Sequence, residues 1–265
     1  MDFVPKENYT AEDLVRIVRI LREPGGCPWD REQTHASIRM NFIEETYEAA
    51  EAIDAGDPAM LEEELGDVLL QVALHAQMEA EAGRFDFDGV CDGICKKLIY
   101  RHPHVFGDVK ATTSQQVLKN WDELKKKEKQ QQTAASTLTA VPTTLPAAMR
   151  AAKLQKRALG YGLGWKTPAQ ALAAAAQAGE TLSAAQTDEQ RRAAAGLLLF
   201  AAVDAARLAG ADPELALTRT CEQFTQAAAD AEQSAAGQGG IAALADAEKD
   251  KLWHALLTFP NRENP

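Results

Sequence analysis

Two consecutive acidic segments with helical periodicity constrain the fold of this chain more than any other feature. The first covers residues 34–55 and the second covers residues 58–82. The sequence Gly-Asp-Pro at 56–58 separates them, and glycine followed by proline is typical of one helix ending and another beginning. The pattern therefore predicts two long helices joined by a very short turn.

Each of these helices carries two acidic residues at a spacing of three: Glu45 with Glu48, and Glu64 with Asp67. Residues three positions apart share one face of a helix, so four carboxylates meet if the two helices pack antiparallel. Like charges that close are unfavourable unless a cation lies between them. Oxygen ligands suit hard divalent cations, above all Mg²⁺. Two separate, solvated acidic faces are the alternative interpretation, because this spacing is common in helices.

The remainder of the chain is also predicted to be helical. Apolar residues recur at helical spacing, and no segment alternates as a strand does. Helices are expected at 10–22, 86–101, 114–130, 147–159, 168–185, 188–209, 212–236 and 241–258. The predicted fold class is therefore all-α.

Composition and charge exclude several classes of function. The net charge of −11 and the pI near 5.0 argue against general affinity for a nucleic acid backbone. The longest apolar runs are alanine-rich and broken by charges, so no membrane span is expected. The N-terminal residues lack the apolar core of a signal peptide, and the four cysteines fit no zinc-binding pattern. We expect reduced thiols and a cytoplasmic location.

The sequence divides into two helical domains. Residues 131–146 are polar, rich in threonine and marked by prolines, which is typical of a linker. The first domain is predicted to comprise residues 1–130 and the second residues 147–265.

The second half repeats the first but lacks its charges. The apolar residues around Gly66 have apolar counterparts around Gly196. Five charged residues, in contrast, are replaced: Glu64 by Ala194, Asp67 by Leu197, Lys97 by Gln223, Arg101 by Ala227 and Lys125 by Leu257. This difference predicts that the first-half charges form a functional set, and that the second domain keeps the scaffold without the chemistry.

Several motifs resemble those of the MazG family, which belongs to the all-α NTP pyrophosphatase superfamily. They are CPWDREQT at 27–34, EETYE at 44–48, EEELGD at 62–67, GRFDF at 83–87 and RHPHVFG at 101–107. The resemblance covers nearly the whole chain. It implies two tandem MazG-like helical bundles, of which the second is degenerate because its metal and phosphate positions are lost.

The resemblance also implies an activity: hydrolysis of nucleoside triphosphates, including dNTPs, to monophosphate and pyrophosphate. The family pattern assigns Mg²⁺, or Mn²⁺ in its place, to Glu45, Glu48, Glu64 and Asp67. Family positions for substrate contact fall on Lys97, Arg101, Trp121 and Lys125. Glu45, Glu48, Lys97 and Arg101 would act in catalysis, and two subunits would build one bundle as a homodimer.

Two other classes of protein remain as alternatives. A di-iron helical bundle usually needs Glu-x-x-His on two helices, and this chain offers only Glu32-x-x-His35. A nucleotide sensor without turnover would fit the degenerate second half. Four residues receive no role in the chemistry: Trp29, expected in the core, His102 and His104, expected to be structural in a turn, and Glu44.

Overall fold

The computed structural model describes residues 3–114, 116–117, 120–121, 124 and 133–256, except for the side chain at 238. Every regular element in these ranges is helical and none is a strand, which confirms the predicted all-α class. The described positions between 114 and 124 are helical as well, in agreement with the helix expected there. The predicted site residue Lys125 lies outside the described residues.

The chain forms two compact units, Met1–Lys125 and Lys126–Pro265. The helices of the first unit are α1 (Ala11–Arg22), α2 (Pro28–Glu32), α3 (Arg39–Ala55), α4 (Pro58–Glu81), α5 (Phe87–Arg101) and α6 (Pro103–Phe106). Those of the second are α7 (Ala134–Thr139), α8 (Ala147–Leu159), α9 (Pro168–Ala184), α10 (Asp188–Leu208), α11 (Pro213–Ala235) and α12 (Asp246–Leu256). Each unit contains one closely packed pair of long helices, α3 with α4 and α9 with α10, as expected for the tandem arrangement.

The turn between α3 and α4 follows from its three residues. Gly56 closes α3 in the left-handed region, at a φ of 65°, which glycine adopts without strain. The Asp57 side chain accepts hydrogen bonds from the backbone N–H groups of Ala59 and Met60, at 2.9 and 3.2 Å. Pro58 then opens α4 where no backbone donor is needed. This compact turn fixes the two acidic helices as neighbours.

The core of the first unit joins α1 to the C-terminal half of α4. Its buried members are Val18, Ile38, Ala73, Leu74 and Met78. At the rim, the Arg22 guanidinium donates to both carboxylate oxygens of Glu81, at 2.8 and 2.9 Å. The core therefore holds the C-terminal half of α4 in place, while the acidic residues lie nearer its N-terminus.

The segment before α3 differs from the sequence prediction. Residues 28–32, expected to form a loop, form the short helix α2, and α3 begins at Arg39 rather than at residue 34. Trp29, which was expected in the core, is 59% exposed because it lies on this short helix. The intervening residues are held by local hydrogen bonds between Thr34 and Ser37.

Large apolar side chains on α3, α4 and α5 are exposed in the single chain. On α3, the buried residues are the small Ala49 and Ala52, whereas Tyr47 and Ile53 are 57% and 63% exposed. The exposed apolar set comprises Met40, Tyr47, Ile53, Leu65, Leu69, Ile94, Leu98 and Ile99. Exposure of so many large apolar groups on one unit is typical of a surface that binds a partner.

The described end of the predicted linker is folded onto the second unit. Residues 134–139 form α7, and the Thr137 and Tyr161 hydroxyl groups are hydrogen-bonded at 2.8 Å. Arg157 donates to the Thr137 carbonyl at 2.6 Å. These bonds attach α7 to α8 and to the turn that follows α8.

No single helix in the described ranges combines the length and hydropathy of a membrane span. The consecutive helices α10 and α11 meet that criterion only jointly, across a bend of 102°.

Candidate active site

Three of the four predicted metal ligands meet where α3 faces α4. One carboxylate oxygen each from Glu45, Glu48 and Glu64 lies within 4.8 Å of the other two. Glu45 and Glu64 are partly buried, whereas Glu48 is exposed. The antiparallel pair of α3 and α4 therefore brings acidic residues of two helices together, as their spacing predicts.

The electrostatics of this cluster extend beyond the three residues. Burial, then the charge of Asp67, then a hydrogen bond with Glu48 raise the pKa of Glu45. Burial, then the charges of Glu48, Glu63 and Asp67, and last that of Glu51, raise the pKa of Glu64. The fourth predicted ligand, Asp67, thus belongs to the same field of negative charge.

Glu51 and Glu63 are acidic neighbours that the sequence analysis did not include. Both act on Glu64. A signal for the first was present, because Glu51 stands three residues after Glu48 and so continues the same face of α3. The acidic surface is therefore larger than the four family positions.

The donor set fits a hard divalent cation. It consists of carboxylate oxygens on two helices, within reach of one ion, and the carboxylates repel one another. Among the described residues, no lysine or arginine is among the groups that shift the pKa of Glu45 or Glu64. Mg²⁺ or Mn²⁺ would relieve this repulsion and accept these ligands.

Two of the three predicted cations, Lys97 and Arg101, lie on α5. Lys97 is exposed, and Arg101 is 6% exposed at the last turn of the helix. The Arg101 guanidinium carbon is 5.3 Å from the centre of the Trp121 ring, a cation–π contact. The structure thus brings two of the predicted substrate contacts, Arg101 and Trp121, together.

Trp121 also contacts the end of α5. The His102 ring stands edge-on to the Trp121 ring at 4.8 Å between centres, and its Nδ1 lies 2.6 Å from the Leu98 carbonyl oxygen. His104 is tilted against His102 at 5.6 Å, and the buried Nδ1 of His104 has no hydrogen-bond partner among the described residues. The two histidines accordingly pack against each other where α5 ends and the short helix α6 begins, rather than in a turn.

A second polar cluster lies near the other end of α4. The Nδ1 atoms of His35 and His75 are 2.7 Å apart, and the His35 Nε2 is 2.6 Å from Glu79 Oε1. The Arg84 guanidinium also donates to Glu79, through Nη2 to Oε1 at 2.8 Å. The hydrogen bonds from Arg84, and after them the bond from His35, lower the pKa of Glu79 to about 2, although burial by itself raises it.

The sequence analysis noted only His35 in this second cluster, and only as part of an unpaired Glu-x-x-His. His75 and Glu79 stand four residues apart on α4, a spacing that could have marked them. In the structure His35 bonds to His75 and Glu79, and the carboxylate group on α3 and α4 contains no histidine among the described residues. This arrangement disfavours the di-iron alternative.

In the second unit, the positions that correspond to the acids cannot bind a metal. Ala194 is buried and Leu197 is exposed on α10. No cluster of metal-binding side chains is found there among the described residues. The hairpin of α9 and α10 is thus present without the chemistry of its counterpart.

Both clusters lie in the part of the chain that matches a known protein family. The model of the MazG nucleotide pyrophosphohydrolase domain matches residues 33–106, which contain all of α3, α4 and α5. The chain is 41% identical to the nucleoside triphosphate pyrophosphohydrolase of Escherichia coli over 85% of its own length and 88% of that protein. It is 39% identical to the nucleoside triphosphate pyrophosphohydrolase/pyrophosphatase MazG of Thermotoga maritima, over 81% of this chain and 82% of that protein.

YabN of Bacillus subtilis is also similar, at 43% identity over 90% of this chain. The chain spans only about half the length of that relative, 50%.

Proposed function

Because the chain belongs to the MazG family of nucleotide pyrophosphohydrolases, we propose that its first unit hydrolyses NTPs and dNTPs to monophosphate and pyrophosphate, with Mg²⁺ as the cofactor. The chain is a hydrolase that acts on an anhydride bond of nucleoside triphosphates. The metal, the dNTPs and the placement of the activity in the first unit are the proposed parts.

One observation carries the proposal: three carboxylates from α3 and α4 lie within 4.8 Å of one another, inside the stretch that matches the family model. A triphosphate carries several negative charges, so an acidic surface binds it only through cations. Glu45, Glu48, Glu64 and Asp67 would hold Mg²⁺, with Mn²⁺ as a substitute. The bound cation would offset phosphate charge and lower the pKa of a water molecule.

The chemical step is a displacement at the α-phosphorus. Glu45 or Glu48 orients a water molecule and accepts its proton. The water oxygen bonds to the α-phosphorus, the bond from that phosphorus to the α,β-bridging oxygen breaks, and pyrophosphate leaves with the bond's electron pair. Lys97, Arg101 and Lys125 would balance the charge that develops on pyrophosphate.

Trp121 is the proposed contact for the nucleoside, either through its sugar or through one face of its base. Its cation–π contact with Arg101 supports a joint role, because the two side chains lie against each other. A phosphate bound by Arg101 would then be close to the indole.

We propose that the active form is a homodimer. The exposed apolar set on α3, α4 and α5 supports this assembly, since two copies would bury these side chains in a common bundle. A partner's α5 would also bring a second Lys97 and Arg101 towards the acids. The four free cysteines and the nucleotide substrate support a cytoplasmic location.

The test is turnover of NTPs and dNTPs with Mg²⁺, followed by quantification of both monophosphate and pyrophosphate. Glu48→Gln should lower kcat/KM by about a hundredfold or more, because it removes both a ligand and a proton acceptor. Glu44→Gln is the matched control, since Glu44 is the exposed neighbour outside the cluster. Full activity of Glu48→Gln, or equal losses in both variants, would show that the site is wrongly placed.

A further inference from the structure

A cleft in the first unit lies beside the acidic cluster and takes no part in the chemistry above. It has a volume of about 520 Å³, within the range of about 300–1,000 Å³ that is usual for small-molecule sites. Most of its wall is apolar and comes from α3, α4, the loop before α5 and the start of α5: Phe42, Val72, Ala76, Phe85 and Val90. Two of these side chains are flat aromatic rings.

One end of the cleft is polar, because His35, His75 and Glu79 contribute to its lining. The two imidazole rings are nearly parallel, with 5.0 Å between their centres and 9° between their planes. The His75 ring also contacts Phe42, at 5.6 Å between centres. The polar end is thus a stacked histidine pair set against an aromatic wall.

The hydrogen bonds of this pair decide which atom His75 offers to a ligand. Glu79 is ionised, because Arg84 and His35 hold its pKa at about 2, so the His35 Nε2 donates to it. The two Nδ1 atoms share one proton, so both are engaged whichever ring supplies it. The Nε2 of His75 is left for a ligand, since the described residues supply no partner for it.

The state of His75 is consistent with that assignment. Burial, followed by the charge of His35, lowers the pKa of His75, which favours a neutral ring. A neutral imidazole beside an ionised carboxylate disfavours an anion at this end of the cleft. It favours an uncharged ligand whose edge forms a hydrogen bond with the Nε2 of His75.

The cleft and the acidic cluster share the same two helices. On α3, Phe42 stands three residues before Glu45, which places it on the same face. On α4, Val72 and His75 follow Asp67 by five and eight residues, or by about 8 and 12 Å of helix. Gln71 lies on α4 between Asp67 and Val72 and is 6% exposed. Its Oε1 has no hydrogen-bond partner among the described residues.

We propose that this cleft binds the nucleobase of the nucleoside triphosphate, with its flat faces against Phe42 and Val72 and with its edge hydrogen-bonded to His75 Nε2. The assignment rests on the proposed function, because it places the phosphates of the same molecule at the acidic cluster. A nucleobase matches the cleft in three respects: it is flat, it packs well on aromatic rings, and its edge carries hydrogen-bonding groups. With the base in this cleft, Trp121 would contact the sugar and not the base, and the Gln71 amide oxygen would accept a hydroxyl donor.

The first test fills the cleft. Val72→Phe should raise KM for every NTP by about tenfold or more with little change in kcat, since it removes binding made equally in the ground and transition states. Binding of Mn²⁺ alone, measured by electron paramagnetic resonance, should remain as in the unaltered protein. Val4→Phe is the matched control, because Val4 is 75% exposed and lies outside the cleft.

The second test removes the hydrogen-bonding nitrogen. His75→Phe keeps a ring of similar size but has no Nε2, so kcat/KM should fall and the ranking of the four bases should change. His75→Gln, whose amide both donates and accepts, should recover part of the loss. Inorganic triphosphate, which has no base, should inhibit the unaltered protein and His75→Phe with the same inhibition constant.

The outcomes separate this proposal from the one on which it rests. If the unaltered protein hydrolyses no NTP, the proposed function fails. If it hydrolyses NTPs and Val72→Phe leaves every KM unchanged, the base site alone is wrong. A change of oligomeric mass in Val72→Phe, with KM unchanged, would assign the cleft to contact with a second copy and would also overturn the base site.

Discussion

Carboxylate oxygens of Glu48 on α3 and Glu64 on α4 lie within 4.8 Å of each other, although the two residues belong to different helices. Repulsion between them contributes to the raised pKa of Glu64. The hairpin is held by its turn and by the core at the far end of α4, so it keeps these charges together at a cost in stability. A function that needs a cation at this place explains why the cost is tolerated.

The first prediction concerns stabilisation by the metal. At a Mg²⁺ concentration a hundred times its dissociation constant, we expect the free energy of unfolding to rise by about 2.7 kcal/mol. Thermal unfolding followed by circular dichroism, over a series of Mg²⁺ concentrations, would measure the effect. Chelation with EDTA should reverse it.

Glu48→Gln supplies the control for this measurement. Without metal, the variant should unfold at a higher temperature than the unaltered protein, because one member of a repelling pair has become neutral. With Mg²⁺, it should gain less stability. An equal gain in both proteins would place the metal elsewhere.

The second prediction concerns the oligomeric state. Ile94→Lys puts a charge into the exposed apolar set, where Ile94 is 44% exposed, and should convert the dimer into a monomer of 28.7 kDa. A buried unpaired charge disrupts an apolar interface. Leu163→Lys is the control, since Leu163 is 55% exposed in the second unit. Light scattering coupled to size exclusion would measure the masses, and a monomeric unaltered protein would contradict the prediction.

How far the sequence predicts this molecule depends on whether a contact is local. The spacing of Glu45 and Glu48 determines a shared helix face, and Gly-Asp-Pro determines where α3 ends. The acidic cluster was therefore within reach of sequence reasoning. The pairing of His35 with His75 was not, because residues forty positions apart meet only when the segment between α2 and α3 packs against α4.

Apolar positions illustrate a second limit. Apolar side chains at helical spacing, such as those of Tyr47 and Leu65, look alike in sequence whether they face the core of their own chain or a partner. The structure buries the small Ala49 and Ala52 in their place. Only the packed structure distinguishes these surfaces.

The third prediction concerns acid stability. Hydrogen bonds hold the pKa of Glu79 at about 2, below its ordinary value of 4.5. A carboxyl with a lowered pKa stabilises the fold above its unfolded-state pKa, and this contribution is lost as the pH falls from 4.5 towards 2. Urea unfolding over that range should show a steeper loss in the unaltered protein than in Glu79→Gln. Parallel curves would mean that the bonds from Arg84 and His35 add no stability.

The fourth prediction separates the two units. Asp204 is 1% exposed on α10, and its Oδ1 accepts hydrogen bonds from Arg207 Nε and Nη2, at 2.8 and 2.6 Å. Asp204→Ala leaves the largely buried guanidinium without this partner, and the loss of one member of such a pair costs about 3 kcal/mol of stability. The cost should fall on the second unit, as calorimetry or protease sensitivity would show. If the second unit has no catalytic part, kcat and KM for NTP hydrolysis should remain unchanged below the temperature at which that unit unfolds. A proportionate fall in kcat in the folded variant would instead show that the second unit supports the active site or the assembly.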